Sequence, residues 1–174
     1  MDDFAKGEEF PYAGQNWNLV SIYGDGDAEL LTDETKDVFR RLGCKNFLSL
    51  KFWDITSREN CSNGILFNKG HAKAVAEFVN KVQKDEENSI FVAHCMAGIS
   101  RSGAIGSFVC DYCGLDYDDF LKENCYNFAN PHMLELLQKE VNLAEDFEWH
   151  DGITPPDPQW GFVIFPPWKN NMTK

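Results

Sequence analysis

The chain is most constrained around residues 90–112, where one apolar run leads through a short loop into another. Ile90 to Ala93 is short, apolar and rich in β-favouring residues, which is typical of a strand buried on both faces of a sheet. The segment HCMAGISRSG follows, and Ala104 to Tyr112 then stays apolar over a helical length. A strand that passes through a tight turn into a helix is the unit from which parallel α/β sheets are built.

The remaining segments alternate between strand and helix patterns. We predict strands at 18–23 and 47–53, a loop at 56–70, and helices after Thr32, at 72–82, at 117–126 and at 131–144. Candidate helix caps are Thr32, Gly43, Asp116 or Asp118, and Asn130. The predicted fold is α/β, with a single domain and a central, mostly parallel sheet flanked by helices on both faces.

The composition changes after Glu145, where five prolines and three tryptophans fall in the last stretch. We therefore divide the chain into a domain at 1–147 and a proline- and aromatic-rich C-terminal extension at 148–174. Because aromatic side chains tend to be buried, the extension is expected to pack on the domain as an extended tail. The composition leaves open a flexible, proline-rich ligand for another module.

The net charge of −12, from 16 basic and 28 acidic residues, disfavours nucleic acid as a partner. No apolar run reaches the roughly 18 residues that a membrane span requires, so no membrane partner is expected. The N-terminal segment MDDFAKGEEF lacks the pattern of a signal peptide, which favours a cytoplasmic location. The oligomeric state is left open.

Six cysteines are present, and reduced thiols are the expected state for a chain of this kind. Cys110 and Cys113 form a C-x-x-C pair, which is at most half of a zinc site, and neither His71 nor His94 stands at a matching spacing. We expect no metal and no cofactor. At i and i+3 on an apolar helix, the two thiols are expected to be core residues.

The segment from Cys95 to Ser102 has the features of an anion-binding loop with a sulfur at its base. Successive backbone N–H groups and the N-terminus of the following helix favour an anion, and the same field favours the nucleophilic thiolate of Cys95. Arg101 offers a planar fork for two phosphate oxygens. Ser102 is placed to donate a hydrogen bond to the sulfur, and Gly98 lets the backbone approach a phosphate closely.

This segment resembles the signature of the protein tyrosine phosphatase superfamily, and Gly98-Ile-Ser-Arg-Ser is especially similar to small dual-specificity phosphatases. The resemblance extends more weakly over about residues 17–140. It implies phosphate binding by the loop residues Met96, Ala97, Gly98, Ile99, Ser100 and Arg101.

The resemblance also implies roles outside the loop. Asp54, at the end of an upstream strand, is the expected general acid, with Asp25 and Glu59 as alternatives. His94 is expected to order the loop, and Asn130 to steady it or simply to cap a helix.

The expected activity is hydrolysis of a phosphate monoester through a cysteinyl-phosphate. The loop lacks lysine, which favours a phosphorylated protein over a polyphosphorylated headgroup, with phosphotyrosine ahead of phosphoserine or phosphothreonine. Two other functions are left open. One is a module that binds a phosphorylated partner without turnover, and the other is a sulfur- or arsenic-handling enzyme that uses Cys110 and Cys113 as redox partners.

Overall fold

The computed structural model of the chain describes residues 13–56, 64–85, 90–125, 127–141 and 162–165. The strands in these ranges are β1 (Trp17–Tyr23), β2 (Cys44–Lys51), β3 (Ile90–His94) and β4 (Phe162–Phe165). The helices are α1 (Asp33–Arg41), α2 (Lys69–Asp85), α3 (Arg101–Tyr112), α4 (Tyr117–Glu123) and α5 (Pro131–Val141).

The strands form one sheet in the order β2-β1-β3-β4. β1 is central and runs parallel to both β2 and β3, with Leu19 opposite Phe47 on one side and Val92 on the other. β4 runs antiparallel along the free side of β3. The predicted α/β class and the parallel arrangement of the three strands are confirmed. The carboxyl ends of these strands therefore meet at one edge, which is where α/β proteins place their ligands.

Two apolar clusters lie on opposite faces of the sheet because alternate strand residues point in opposite directions. Val20 and Phe91 belong to the larger cluster, which includes side chains of α2, α3, α4 and α5. Leu19 and Val92 belong to the smaller cluster, which includes Phe39 of α1. Helices thus pack against both faces of the sheet.

The start and end of α1 follow from its sequence. The Thr32 hydroxyl accepts a hydrogen bond from the Thr35 N–H at 3.3 Å, so the predicted N-cap is confirmed. Gly43 follows the helix with a φ of 103° and donates its N–H to Arg40 O at 3.1 Å. A Cβ at Gly43 would lie 2.1 Å from Gln15 O, so both the conformation and the space require glycine there.

Some predicted boundaries were wrong. β2 begins at Cys44 and ends at Lys51, whereas the prediction ran from Phe47 to Trp53. The Trp53 N–H donates to Ile65 O at 2.8 Å, so the chain has left β2 by that point. α2 begins at Lys69, before the predicted start, because the Asn68 side chain accepts a hydrogen bond from Gly70 N at 2.9 Å.

Much of the C-terminal extension lies outside the described residues. The described part, Phe162–Phe165, is extended and pairs with β3, with Phe162 opposite His94. The predicted boundary near residue 147, and packing of the rest of the extension, remain predictions. In the described part of the chain, no helix combines the length and apolar character needed to cross a bilayer.

Candidate active site

The loop predicted to bind an anion lies at the carboxyl end of β3, between that strand and α3. Cys95 directly follows β3 and is buried, whereas Met96 and Ala97 are exposed. Gly98 has a φ of 70°, a conformation that side-chain-bearing residues rarely adopt, and it turns the chain back toward α3. The predicted strand–loop–helix arrangement is therefore present.

Two loop carbonyls are held by the segment that precedes α5. Ile99 O accepts a hydrogen bond from Phe128 N at 3.3 Å, and Ser100 O accepts one from Asn130 N at 3.2 Å. In a trans peptide the N–H points away from the carbonyl, and the described chain contains no cis peptide bond. The amides of Ser100 and Arg101 consequently point away from residues 128–130, the direction that an anion-binding loop requires.

Ser102 contacts the sulfur of Cys95. The distance from Ser102 Oγ to Cys95 Sγ is 3.2 Å, within the range of a hydrogen bond to sulfur, and Ser102 is fully buried in the first turn of α3. A hydroxyl in this position can stabilise negative charge on the sulfur. The structure therefore brings the two residues together as the sequence predicts.

The guanidinium of Arg101 is held from one side. Its Nη1 donates to Asp27 Oδ2 at 3.2 Å and lies 3.4 Å from Phe52 O. Its Nε is buried and has no hydrogen-bond partner among the described residues, and the nearest carboxylate oxygen, Asp54 Oδ2, is 4.0 Å away. The protein thus fixes one corner of the fork and leaves the Nε edge for an anion.

Asp27 is a site residue that the sequence analysis missed. Its Oδ2 accepts hydrogen bonds from Gly24 N at 2.7 Å and from Arg101, so the carboxylate ties the turn after β1 to the loop. A Cβ at Gly24 would lie 3.3 Å from that oxygen, so glycine gives the turn room there. Its place in the sequence could have indicated it, because Asp27 lies near the carboxyl end of the central strand, where α/β sites form.

Asp54 lies at the loop, as predicted. Its Oδ1 accepts hydrogen bonds from Ser100 Oγ and from Asn130 Nδ2, each at 2.8 Å. These two donors fix the carboxyl group while its Oδ2 faces the Nε edge of Arg101. The carboxyl group is therefore placed where a phosphate bound to Arg101 would meet it.

Asn130 both caps a helix and contacts the loop, the two roles considered for it from the sequence. Its Oδ1 accepts from Met133 N at 3.2 Å, which caps α5, and its Nδ2 donates to Asp54. Its own N–H binds the loop at Ser100 O. One buried asparagine thereby connects α5, the loop and Asp54.

Of the two alternative acids, Asp25 lies within the described residues and Glu59 does not. Asp25 forms an ion pair with Lys51 at 2.7 Å, and hydrogen bonds from Lys51 and Trp53 hold the pKa of its carboxyl below the ordinary value. The Asp25 carboxylate is engaged by Lys51, whereas Asp54 hydrogen-bonds to Ser100 of the loop, so Asp54 is the better placed candidate.

His94 is buried directly before Cys95. Burial is the main cause that lowers the pKa of His94 to about 4, and the positive charge of Arg101 adds to this effect, whereas Asp27 opposes it. The imidazole is therefore neutral near pH 7. This agrees with a residue that orders the loop and does not donate a proton.

The lowered pKa of His94 makes stability depend on pH. Below the usual pKa of 6.5 the unfolded chain binds a proton at this position, whereas the folded chain stays neutral down to about pH 4. Stability therefore falls as the pH drops through this window, by about 2 kcal/mol between pH 7 and pH 5. We expect the free energy of unfolding of His94→Asn, measured with urea, to fall less between pH 7 and pH 5 than that of the parent. The same pH dependence in parent and variant would contradict this prediction.

The other described cysteines, at positions 44, 110, 113 and 125, are free thiols, and Cys61 lies outside the described residues. Burial raises the pKa of Cys110 and of Cys113 to about 12. Both pack in the larger apolar cluster, as predicted, where a protonated thiol is a poor redox partner. The described residues contain no group of ligands suited to a metal ion.

Comparison of the chain with protein-family models, with curated proteins and with solved structures finds no match. The functional interpretation therefore depends on the site itself.

Proposed function

We propose that this chain is a cysteine-dependent phosphatase with a protein tyrosine phosphatase-like fold that hydrolyses phosphate monoesters of proteins. Phosphotyrosine is the favoured substrate, and dual specificity is compatible with the site. The observation that carries the proposal is the convergence of four side chains at one loop. Cys95 lies at its base, the unpartnered Nε of Arg101 faces Asp54 at 4.0 Å, and Ser102 lies 3.2 Å from the sulfur.

In the first step, the Cys95 thiolate attacks phosphorus and forms an S–P bond while the bond to the leaving oxygen breaks. Asp54, in its protonated form, gives its proton to that oxygen. Arg101 and the amides between Met96 and Arg101 stabilise the charge on the equatorial oxygens. This electrostatic contribution is the largest one expected in phosphoryl transfer.

In the second step, water attacks phosphorus and the S–P bond breaks, which releases inorganic phosphate and restores the thiolate. Asp54, now ionised, accepts a proton from the attacking water. The hydroxyl of Ser102 stabilises the departing sulfur at the distance seen in the structure. The proposed reaction requires no metal ion and no cofactor.

The absence of lysine from the loop supports a protein substrate over a polyphosphorylated headgroup. The acidic chain also disfavours RNA ends, since a net charge of −12 repels polyanions. A module that binds a phosphorylated partner without turnover is the alternative. The position of Asp54 beside the loop counts against that alternative, because binding alone does not need a proton donor there.

Replacement of Asp54 by asparagine tests the proposed general acid. The change keeps an oxygen that can accept from Ser100 and Asn130 but removes the acidic proton. We expect kcat/KM, which reports the first chemical step, to fall about 10²- to 10³-fold for a phosphotyrosine peptide, because a general acid contributes about that much. For an aryl phosphate with an acidic leaving group, kcat/KM should fall far less, and the alkaline limb of the pH profile of kcat/KM should disappear.

These rates are measured in the presence of a chelator, with Asp37→Asn as the matched control because Asp37 is an exposed aspartate paired with Arg40. Equal losses of kcat/KM for good and poor leaving groups would refute the assignment of Asp54 as the general acid. A parent protein that binds phosphopeptide but turns over neither substrate would favour the binding module.

A further inference from the structure

We propose that the surface around the loop selects polypeptides that carry apolar, and not acidic, side chains beside the phosphorylated residue. This inference rests on the proposed function and deepens it. The surface, which we call the apolar rim, consists of Trp53, Ile65, Met96 and Phe128.

These four residues are the large apolar side chains that are exposed within the described ranges, and they are between 38% and 69% exposed. Single exposed apolar residues scattered over a protein are ordinary. A set that gathers at one place marks an interaction surface.

Each member of the apolar rim is tied to the site by the chain. Met96 directly follows Cys95, and Trp53 directly precedes Asp54. The N–H of Trp53 donates to Ile65 O at 2.8 Å, and the N–H of Phe128 donates to Ile99 O in the loop at 3.3 Å. The backbone of each rim residue therefore lies beside the loop or beside the segment that carries Asp54, and these two segments border the proposed phosphate site.

Trp53 is held in a defined orientation. A Cβ on Gly64 would lie 2.7 Å from Trp53 Cδ2, so the indole packs directly on the glycine backbone. The Trp53 side chain also hydrogen-bonds to Asp25. An aromatic surface that is already ordered loses little conformational entropy when a substrate covers it.

The charges at the site disfavour acidic neighbours in a substrate. The cations tied to the site by the contacts above are Arg101, which is engaged by Asp27, and Lys51, which pairs with Asp25. An acidic side chain beside the phosphate would therefore find no free cation among these groups, because Asp27 and Asp25 already engage them. The net charge of −12 adds long-range repulsion and also disfavours a phosphate carried on an anionic lipid surface.

The test uses three peptides with the same phosphotyrosine and with leucine and valine, serine and glycine, or aspartate and glutamate on both sides of it. We expect kcat/KM to be about tenfold higher for the apolar peptide than for the neutral one, since burial of modest apolar area has that effect. The kcat/KM of the acidic peptide should be lower than that of the neutral one, and added salt should reduce this difference.

The double variant Ile65→Gln with Phe128→Gln should bring the ratio of apolar to neutral peptide close to one. The matched control is Phe47→Gln, because Phe47 packs on the α1 face of the sheet beneath Arg40 and should leave the ratio at its parental value. Thermal unfolding of each variant verifies that the comparison is made between folded proteins.

A small aryl phosphate, which has no flanking residues, tests the proposed phosphatase activity separately from the apolar selection. If the aryl phosphate is hydrolysed but the three peptides react at equal rates, or the acidic peptide reacts fastest, only the apolar selection is overturned. Faster turnover of a lipid phosphate in neutral micelles than of every peptide would also overturn it. Failure to hydrolyse the aryl phosphate would refute the proposed function, and the inference would fall with it.

Discussion

Replacement of Cys95 by serine is expected to lower kcat at least about 10⁴-fold, with phosphopeptide binding retained, because loss of a nucleophile abolishes the covalent path. Serine fits the same buried space at the base of the loop, so the fold and the Arg101 contacts should persist. Steady-state hydrolysis of an aryl phosphate gives the loss, and calorimetric titration with a phosphopeptide gives the binding.

Cys125 provides the matched control, since it is an exposed free thiol outside the loop. Cys125→Ser should keep parental kcat and KM. If Cys95→Ser retained a rate within tenfold of the parent, the covalent mechanism would be wrong whatever the phosphopeptide affinity.

Arg101→Lys should lower kcat about 10³-fold or more, the range found where an arginine stabilises a phosphoryl-transfer transition state. The guanidinium uses one corner to hold Asp27 and Phe52 O and presents its Nε edge to the loop. A lysine ammonium is a compact charge without a planar fork and cannot make both sets of contacts. Arg101→Lys keeps the positive charge, but its kcat should therefore be little higher than that of Arg101→Ala.

The control for this change is Arg40→Lys, because Arg40 is exposed and pairs with Asp37 on the surface of α1. Circular dichroism and urea unfolding separate a loss of chemistry from a loss of folding. They are needed because removal of one partner from a largely buried ion pair costs about 3–5 kcal/mol. A folded Arg101→Lys protein with kcat within threefold of the parent would contradict the assigned role.

The strand–loop–helix around Cys95 was predictable because its signals are local. An apolar run, a glycine at the turn and an arginine at the start of α3 lie within a few residues of one another. The resemblance, together with the local cue of an aspartate just after a predicted strand, indicated Asp54. Its contact with Asn130 joins residues 76 positions apart, and only the resemblance suggested that both serve the loop.

Asp27 shows the limit of that reasoning. It meets Arg101 across 74 positions, and nothing in the turn GDGD distinguishes Asp27 from Asp25. The difference arises in three dimensions. Asp25 faces solvent and Lys51, whereas Asp27 turns inward to the Gly24 amide and the guanidinium.

The wrong boundaries have a related cause. Phe52 and Trp53 continue the apolar, β-favouring pattern of β2, but the backbone of Trp53 pairs with Ile65. The polarity of residues 56–70 and the Asn63-Gly64 pair predict a loop that includes Asn68, yet the Asn68 side chain caps α2. The apolar rim was not predictable either, because the exposure of Met96 and Phe128 depends on which segments reach the loop and does not follow from their own sequence.

The most direct test of the covalent mechanism is rapid acid quenching of Asp54→Asn during turnover of an aryl phosphate with a good leaving group. The variant keeps the first step fast for such a substrate and slows the second, so a cysteinyl-phosphate should accumulate. Peptide mass spectrometry should find the mass of one phosphoryl group on the peptide that contains Cys95, and none when Cys95→Ala is added. Turnover without label on Cys95, or label on another residue, would contradict the mechanism.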